Sequence, residues 1–400
     1  MCLRSLASLN EGIVDRSDHY SDKHKARDNR ISFITVRPAI DNPKGLFIRG
    51  RGEQTIFGAF EVAHGFIFGL CKQLEAAANH HGGDPYLIMS SSRRPSPRCQ
   101  LVDGIPRSPY LDPTLVRQAL KHRPEDGDVI LMSFPKSGTH WTQQILQLIL
   151  NRGESATNFT DFVRRTPILE NHGAKALENL PKPRITRTHF QLLRANVNEK
   201  AKYVYVARNP WDACVSAYHM LKSVPKFGFQ DATFDDFFEA FMRGDYGYGE
   251  YFDHVMCGYS HRNDPNVFFF TYEQLKEDSR GVILRLAYFL GEKYGRMLEE
   301  DEELFERVLK KSSFEYMKRV FGMDADEFSA ALTSLEVRPG NGDVVARRND
   351  EDKTSELNFF RKGKVNDWKE LFSEDQVRRM KARIEEMTKG SDLMSLWEKV

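Results

Sequence analysis

Cysteine is scarce in this chain and irregularly placed. Cys2, Cys71, Cys99, Cys214 and Cys257 are odd in number, far apart and without C-x-x-C spacing. This excludes a disulfide framework, gives no zinc-ligand pattern, and fits a reducing compartment. A long apolar run is also missing. The most apolar N-terminal stretch, Val62 to Leu70, contains His64 and follows Glu61, and it is far shorter than the roughly 20 residues that span a bilayer. The start, Met1-Cys2-Leu3-Arg4, lacks the apolar core of a secretory signal, so the expectation is a cytoplasmic protein with no membrane partner. Nor does one sign of charge dominate: Lys and Arg number 58, Asp and Glu 57. No global field draws the chain to nucleic acid, and any anion site must be built locally.

Four hundred residues accommodate one α/β domain with an appendage. The composition changes near residue 97. Ser90-Ser91-Ser92-Arg93-Arg94-Pro95-Ser96-Pro97 reads as a linker, which predicts an N-terminal extension over 1–97 and a catalytic domain over 98–400. Ile31 to Leu74 has some apolar character but no motif, so the extension is expected to be either disordered or a small appended element. Beyond Gln100, strand-like runs alternate with helical patterns. Leu115–Leu120 reads as a short helix, and Val129–Phe134 as a strand leading to a loop and a helix. Arg184–Thr188 and Tyr203–Ala207 read as strands, with Pro210–Leu221 as the helix after the second. Val267–Thr271 reads as a buried strand, then a helix from Tyr272 through Leu290. The expected fold is α/β, a parallel β-sheet flanked by helices on both faces, with ligands beyond the carboxyl ends of the strands. Lys136, His189, Arg208 and Tyr272 stand at those ends. The polar segment Ala331–Thr354 reads as a surface loop with the character of a lid.

Four motifs carry chemistry. Phe134-Pro135-Lys136-Ser137-Gly138-Thr139-His140-Trp141 joins a strand to a helix, where backbone N–H groups, the helix N-terminus and a lysine can hold a phosphate. It is not the G-x-x-x-x-G-K-[ST] loop of ATPases, because Pro135 and Ile130 stand where glycines are needed. In Tyr205-Val206-Ala207-Arg208-Asn209-Pro210-Trp211-Asp212, Arg208 leaves a strand and Ser216 follows two helical turns on, a pair able to hold a second phosphate. Phe359-Phe360-Arg361-Lys362-Gly363-Lys364 offers aromatics for a base and cations for a phosphate, and Thr188-His189 offers a base. Taken singly, each has a plain alternative: an ordinary turn, a surface Arg208–Asp212 pair, a solvated charge run, a satisfied structural histidine.

In this order, together with Tyr272-Glu273-Gln274-Leu275-Lys276-Glu277-Asp278, the motifs closely resemble those of the cytosolic sulfotransferases. The resemblance covers about Gln100 to the C-terminus. It implies a P-loop-like sulfotransferase fold and transfer of a sulfuryl group from 3′-phosphoadenosine 5′-phosphosulfate (PAPS) to a hydroxyl or amine, leaving 3′-phosphoadenosine 5′-phosphate (PAP), with no metal. It further implies that Lys136 stabilises the leaving phosphate, with Ser137, Gly138, Thr139 and His140 as further donors to it. Trp141, Tyr272, Ser312, Phe314, Met317 and Phe359 surround adenine. Arg208, Ser216, Arg361, Lys362 and Gly363 bind the 3′-phosphate, and His189 is the general base. The chain departs from the family pattern at His140 (usually threonine), at Arg187 (usually lysine) and at Asn366 (usually glycine). It keeps only half of the family's dimer segment, Lys369-Glu370-Leu371-Phe372 followed by Ser373-Glu374, with Arg378 in place of the closing acid, so a monomer or weak homodimer is expected. The dense aromatics between Phe227 and Phe252 are read as helping to line an apolar acceptor pocket for a phenol, steroid or amine, with most of them expected to be plain core. Two other functions stay open: a P-loop kinase, and a non-catalytic PAP-binding relative.

Overall fold

The computed structural model describes residues 95–191, 196–322 and 360–398, and the backbone of three strands ahead of them. The chain divides into two units, residues 1–88 and 89–400. In the first, β1 (Thr35–Ala39), β2 (Asn42–Arg49) and β3 (Ile56–Ala59) form an antiparallel sheet in that order. The β1–β2 register shifts between Pro38 and Ala39. Proline has no N–H to give a ladder and is found at such irregularities.

The second unit opens with the segment read as a linker. Its described end is packed: Pro97 is buried, and the Arg98 N–H donates to the Phe227 carbonyl at 2.8 Å. A hairpin follows, β4 (Gln100–Val102) and β5 (Ile105–Arg107). Its two-residue turn, Asp103-Gly104, has φ of 52° and 77°, the double positive φ that a type I′ turn demands. Then come α1 (Pro113–Lys121), β6 (Val129–Met132), α2 (Thr139–Leu150), α3 (Phe159–Arg164), α4 (Leu169–His172), β7 (Ile185–Thr188), β8 (Lys202–Ala207), α5 (Pro210–Ser223), α6 (Phe234–Arg243), α7 (Tyr251–Ser260) and β9 (Val267–Thr271). The chain continues through α8 (Tyr272–Glu277), α9 (Ser279–Leu290), α10 (Glu292–Glu300), α11 (Glu302–Lys311), α12 (Phe314–Phe321) and α13 (Glu374–Met387).

β7-β6-β8-β9 pair in that order, all parallel. The two-residue period of a strand sorts the side chains to opposite faces. Val129, Leu131, Val204, Val206 and Phe270 join Ile145 and Leu148 of α2 and Val282 and Leu286 of α9 in one core. Ile130, Met132, Tyr203, Tyr205 and Ala207 join Ala213 of α5, Phe237 of α6 and Val255 of α7 in the other. Helices cover both faces, as expected. Each fully buried aliphatic side chain contributes about 1.5–3 kcal/mol.

One expectation needs correction. The helix predicted from Tyr272 to Leu290 is two helices, because Asp278 leaves helical geometry and its carboxylate caps α9 by accepting from the Gly281 N–H at 2.8 Å. The aromatic stretch is mostly core. Phe234, Phe237, Phe238 and Phe241 recur at helical spacing on the buried face of α6, and Phe229, Tyr246, Tyr251 and Phe252 are buried with them. The segment read as a lid, Ala331–Thr354, lies outside the described residues.

Candidate active site

The register aligns the strand ends. Met132 of β6 pairs with Thr188 of β7 and Tyr205 of β8, and Ala207 pairs with Thr271 of β9. His189, Arg208 and Tyr272 therefore leave the sheet on the same edge as the loop after β6.

That loop is anchored by Phe134, whose ring meets Tyr251, His254 and Tyr246 at 5.0, 5.5 and 5.7 Å. The Ser133 and Thr139 hydroxyls, 2.7 Å apart, close its ends. Lys136 (φ 67°) and Gly138 (φ 105°) take left-handed backbone, as loops that turn successive N–H groups inward do. At Gly138 a Cβ would stand 2.9 Å from Tyr272 Cδ2, so glycine is required for space as well as for φ. Burial, then Arg208 and Arg361, push the Lys136 ammonium down to about 7. Ser137 Oγ, Trp141 Nε1, Arg187 Nε and Arg208 Nε are buried with no hydrogen-bond partner among the described residues. Such unspent polar groups on one wall suit an anionic ligand.

His189 is held at three atoms. Its backbone N–H donates to Glu170 Oε1 at 2.7 Å, its carbonyl accepts from His254 Nε2 at 3.0 Å, and its Nδ1 lies 2.9 Å from the Ser133 carbonyl. A carbonyl only accepts, so Nδ1 carries the proton and Nε2 is the bare, basic nitrogen. Burial, with Arg187 and Lys136 opposing protonation, pushes His189 down to about 4. Arg187 is buried, donates to Gln143 Oε1 and is pushed down to about 10 by burial. His140 sits edge-on to Phe159 and Phe162, with ring centroids 5.8 and 6.0 Å away, and burial holds it well below its ordinary value.

Arg208 is buried, not on the surface. It donates to the carbonyls of Lys136 (3.3 Å) and Lys364 (3.1 Å), and its guanidinium lies 4.4 Å over the Tyr272 ring. Asp212 stands 3.9 Å from it but spends its oxygens elsewhere, accepting from the backbone N–H groups of Asn366 (2.9 Å) and Trp368 (3.1 Å). It thus ties the segment after Gly363 to the start of α5. Asp367 holds Arg361, and holds Lys362 at 2.7 Å. Gly363 (φ 62°) lies where a Cβ would meet Phe314 at 2.6 Å. Asn366 takes φ 67°, the conformation that a glycine would supply and that asparagine tolerates better than most residues.

One cavity of about 200 Å³ gathers these groups. Its walls include Lys136, Gly138, Thr139, His140, Trp141, Arg187, His189, Arg208, Ser216, Tyr272, Ser312, Phe314, Met317, Arg361, Lys362 and Gly363. Ser137 is fully buried and is not among the lining residues, and Phe359 lies outside the described residues. Ser108, Tyr110, Leu111, Ile168, Asn171 and Met220 also line the cavity, and the aromatic stretch contributes only Phe227 and Tyr248. Glu170, His254 and Ser133 were not legible in the sequence. Glu170 and His254 act on the His189 backbone and Ser133 acts through its own carbonyl, which no spacing rule reveals. Asp212 was legible, but only as a partner of Arg208. Among the described residues, no group of three or more His, Cys, Asp or Glu could hold a metal, and no helix is long and apolar enough to cross a membrane.

Comparison with known proteins agrees with this geometry. The sulfotransferase domain family matches residues 126–392. An amine sulfotransferase of Oryctolagus cuniculus is 34% identical over 68% of this chain and 84% of its own length, and sulfotransferase 1E1 of Homo sapiens is 32% identical over 69% and 88%. The crystal structure of mouse sulfotransferase SULT7A1 complexed with PAP superposes with a TM-score of 0.57 at 27% identity, covering 75% of this chain and 98% of that one. Retinol dehydratase in complex with androsterone and the inactive cofactor PAP gives 0.52 at 25% identity, covering 70% and 86%. The chain belongs to the sulfotransferase family and is, by that membership, an enzyme of the PAPS-dependent class.

Proposed function

We propose that the cavity binds PAPS between the loop after β6 and the Arg208 end, and that His189 takes the acceptor proton. His189 Nε2 accepts that proton as the acceptor oxygen bonds to sulfur. The bond from sulfur to the bridging phosphate oxygen breaks, its electron pair stays on that oxygen, and the products are sulfated acceptor and PAP. Lys136 neutralises charge on the departing oxygen, with Ser137, Thr139 and His140 around it. As in phosphoryl transfer, positioning and charge dominate. Trp141, Tyr272, Ser312, Phe314, Met317 and Phe359 take adenine, and Ser216, Arg208, Arg361, Lys362 and Gly363 take the 3′-phosphate. Residues 98–400 are the catalytic domain and 1–97 an appended element.

The observation that carries this reading is the Nδ1–Ser133 hydrogen bond. It leaves His189 Nε2 bare in the same cavity as Lys136. For the acceptor we favour a neutral hydroxyl, such as a phenol, over a protonated amine. The described cavity wall carries Lys136, Arg187, Arg208, Lys276, Arg361, Lys362 and Lys364 and no carboxylate, so among the described lining residues an ammonium would find no counter-charge.

Transfer of label from radiolabelled PAPS to para-nitrophenol and to a matched aryl-ethylamine tests both parts. Wild type should prefer the phenol, and His189→Ala should lose at least a hundredfold in turnover. Full turnover by His189→Ala refutes the base assignment, and preference for the amine refutes the acceptor class. Binding of ATP with Mg²⁺ tighter than PAP would favour a kinase, because the second phosphate cradle would then have no purpose.

A further inference from the structure

We infer that Tyr205 and His254 form a positioning strut for His189, acting on its main chain from behind the cavity. This rests on the assignment of His189 as the base. The strut is defined by proton inventory. His254 Nε2 lies 3.0 Å from the His189 carbonyl, and a carbonyl cannot donate, so Nε2 carries the hydrogen. His254 Nδ1 is then a bare acceptor, and the Tyr205 hydroxyl 2.6 Å away donates to it, with the His254 carbonyl as a second, longer acceptor at 3.0 Å. The line runs from β8 through α7 to the residue just past β7, so it ties three elements to the one backbone oxygen behind the base.

Its surroundings make it rigid. His254 is 1% exposed and Tyr205 3%, and the Tyr205 ring stacks on Phe269 at 5.4 Å. Phe134, which opens the loop after β6, packs edge-on to His254 at 5.5 Å. Neither strut residue lines the cavity, so neither touches substrate. Burial pushes His254 down to about 3 and Tyr205 well above its ordinary value. Both therefore stay neutral at working pH and hold one hydrogen-bonding pattern, a strut and not a proton relay. A base held from its carbonyl, its N–H and its Nδ1 keeps Nε2 within the narrow positional tolerance that proton transfer needs.

Turnover with para-nitrophenol and PAP affinity by calorimetry, on the full chain, test the strut. His254→Leu should lower kcat at least tenfold while leaving the PAP Kd within about threefold. His254→Gln, whose amide N–H can reach the same carbonyl, should recover most of that loss. Tyr205→Phe should lower kcat by about threefold or more. Unchanged kcat in His254→Leu overturns the proposal, and so does a loss of equal size in His254→Gln. If His254→Leu does not fold, Tyr205→Phe decides: wild-type kcat overturns the strut, and a lowered kcat with unchanged PAP affinity supports it. His189→Ala run beside them separates the two ideas. Its full activity would sink the base assignment, whereas an inactive His189→Ala beside a fully active His254→Leu would sink the strut alone.

Discussion

Lys136 makes nucleotide affinity a function of pH. Its ammonium sits at about 7 in the free protein because it is buried and because Arg208 and Arg361 repel it. An ordinary lysine titrates near 10.4. A phosphate placed beside it favours the charged form, so binding raises its pKa and the complex takes up a proton. Well below pH 7 the lysine is already charged and its own contribution to the pH dependence levels off. Above pH 7 the free protein must first be protonated, and affinity falls towards tenfold per pH unit until the pKa of the complex is reached. With a pKa of about 7 in the free protein and one restored near 10 in the complex, the PAP Kd weakens about fifty-fold from pH 7 to pH 9, or about 2.3 kcal/mol. The nucleotide's own phosphates are essentially fully ionised above pH 7 and do not mimic this slope. Calorimetric titration with PAP in two buffers of different ionisation enthalpy reads both quantities. About half a proton should be taken up at pH 7 and nearly one at pH 8. Lys136→Arg is the control, since a guanidinium stays charged throughout and its affinity should be level over the same range. A level wild-type profile between pH 7 and 9, or the same slope in Lys136→Arg, refutes the reasoning.

Gly138→Ala combines φ 105° with a Cβ 2.9 Å from Tyr272; it should destabilise the fold by about 1–3 kcal/mol and abolish the thermal shift given by PAP. Asp212→Ala strands the N–H groups of Asn366 and Trp368 and the Asn209 amide, 2.8 Å from Asp212 Oδ2. Urea denaturation should show a loss of about 2–4 kcal/mol, and PAP should bind more weakly because the Arg361–Gly363 turn is no longer moored. Asn366→Gly should be neutral within a few tenths of a kcal/mol, since its Oδ1 has no partner among the described residues and glycine accepts φ 67°. Asn366→Ala should be less stable by about 1 kcal/mol.

The anion-binding candidates that line the cavity were legible in the sequence, unlike Ser108, Tyr110, Leu111, Ile168, Asn171 and Met220, because the chemistry that binds an anion also constrains the local chain. Lysine, glycine and hydroxyls between a strand and a helix are a recognisable string, and Arg208 falls at a strand end that the run Tyr203–Ala207 already marks. The α/β alternation was legible for a similar reason: Val129–Met132 and Val267–Thr271 are short, apolar and bounded by polar residues. Groups that work through the backbone of a distant segment were not legible. Glu170 grips the His189 N–H across 19 positions and His254 grips its carbonyl across 65, and neither distance leaves a trace in local pattern. The aromatic stretch was legible only in proportion. The same side chains suit a pocket or a core, so the sequence reads most of them as core without saying that Phe227 and Tyr248 are the ones that line the cavity.

The cavity gathers cations. Arg187 and Arg208 are buried against the space that Lys136 also lines, and the Asp212 carboxylate 3.9 Å from Arg208 accepts from other donors. Withdrawing charge from water costs folding free energy, and the depressed Lys136 and Arg187 carry the mark of that desolvation. A bisphosphorylated nucleotide brings negative charge to these cations, so binding and folding stability are coupled. Ligand at a hundred times its dissociation constant adds about 2.7 kcal/mol by mass action alone. Lys136→Met removes the loop cation, so the thermal shift given by PAP should be clearly smaller than in wild type. A shift of wild-type size would refute the part given to Lys136 in binding the nucleotide.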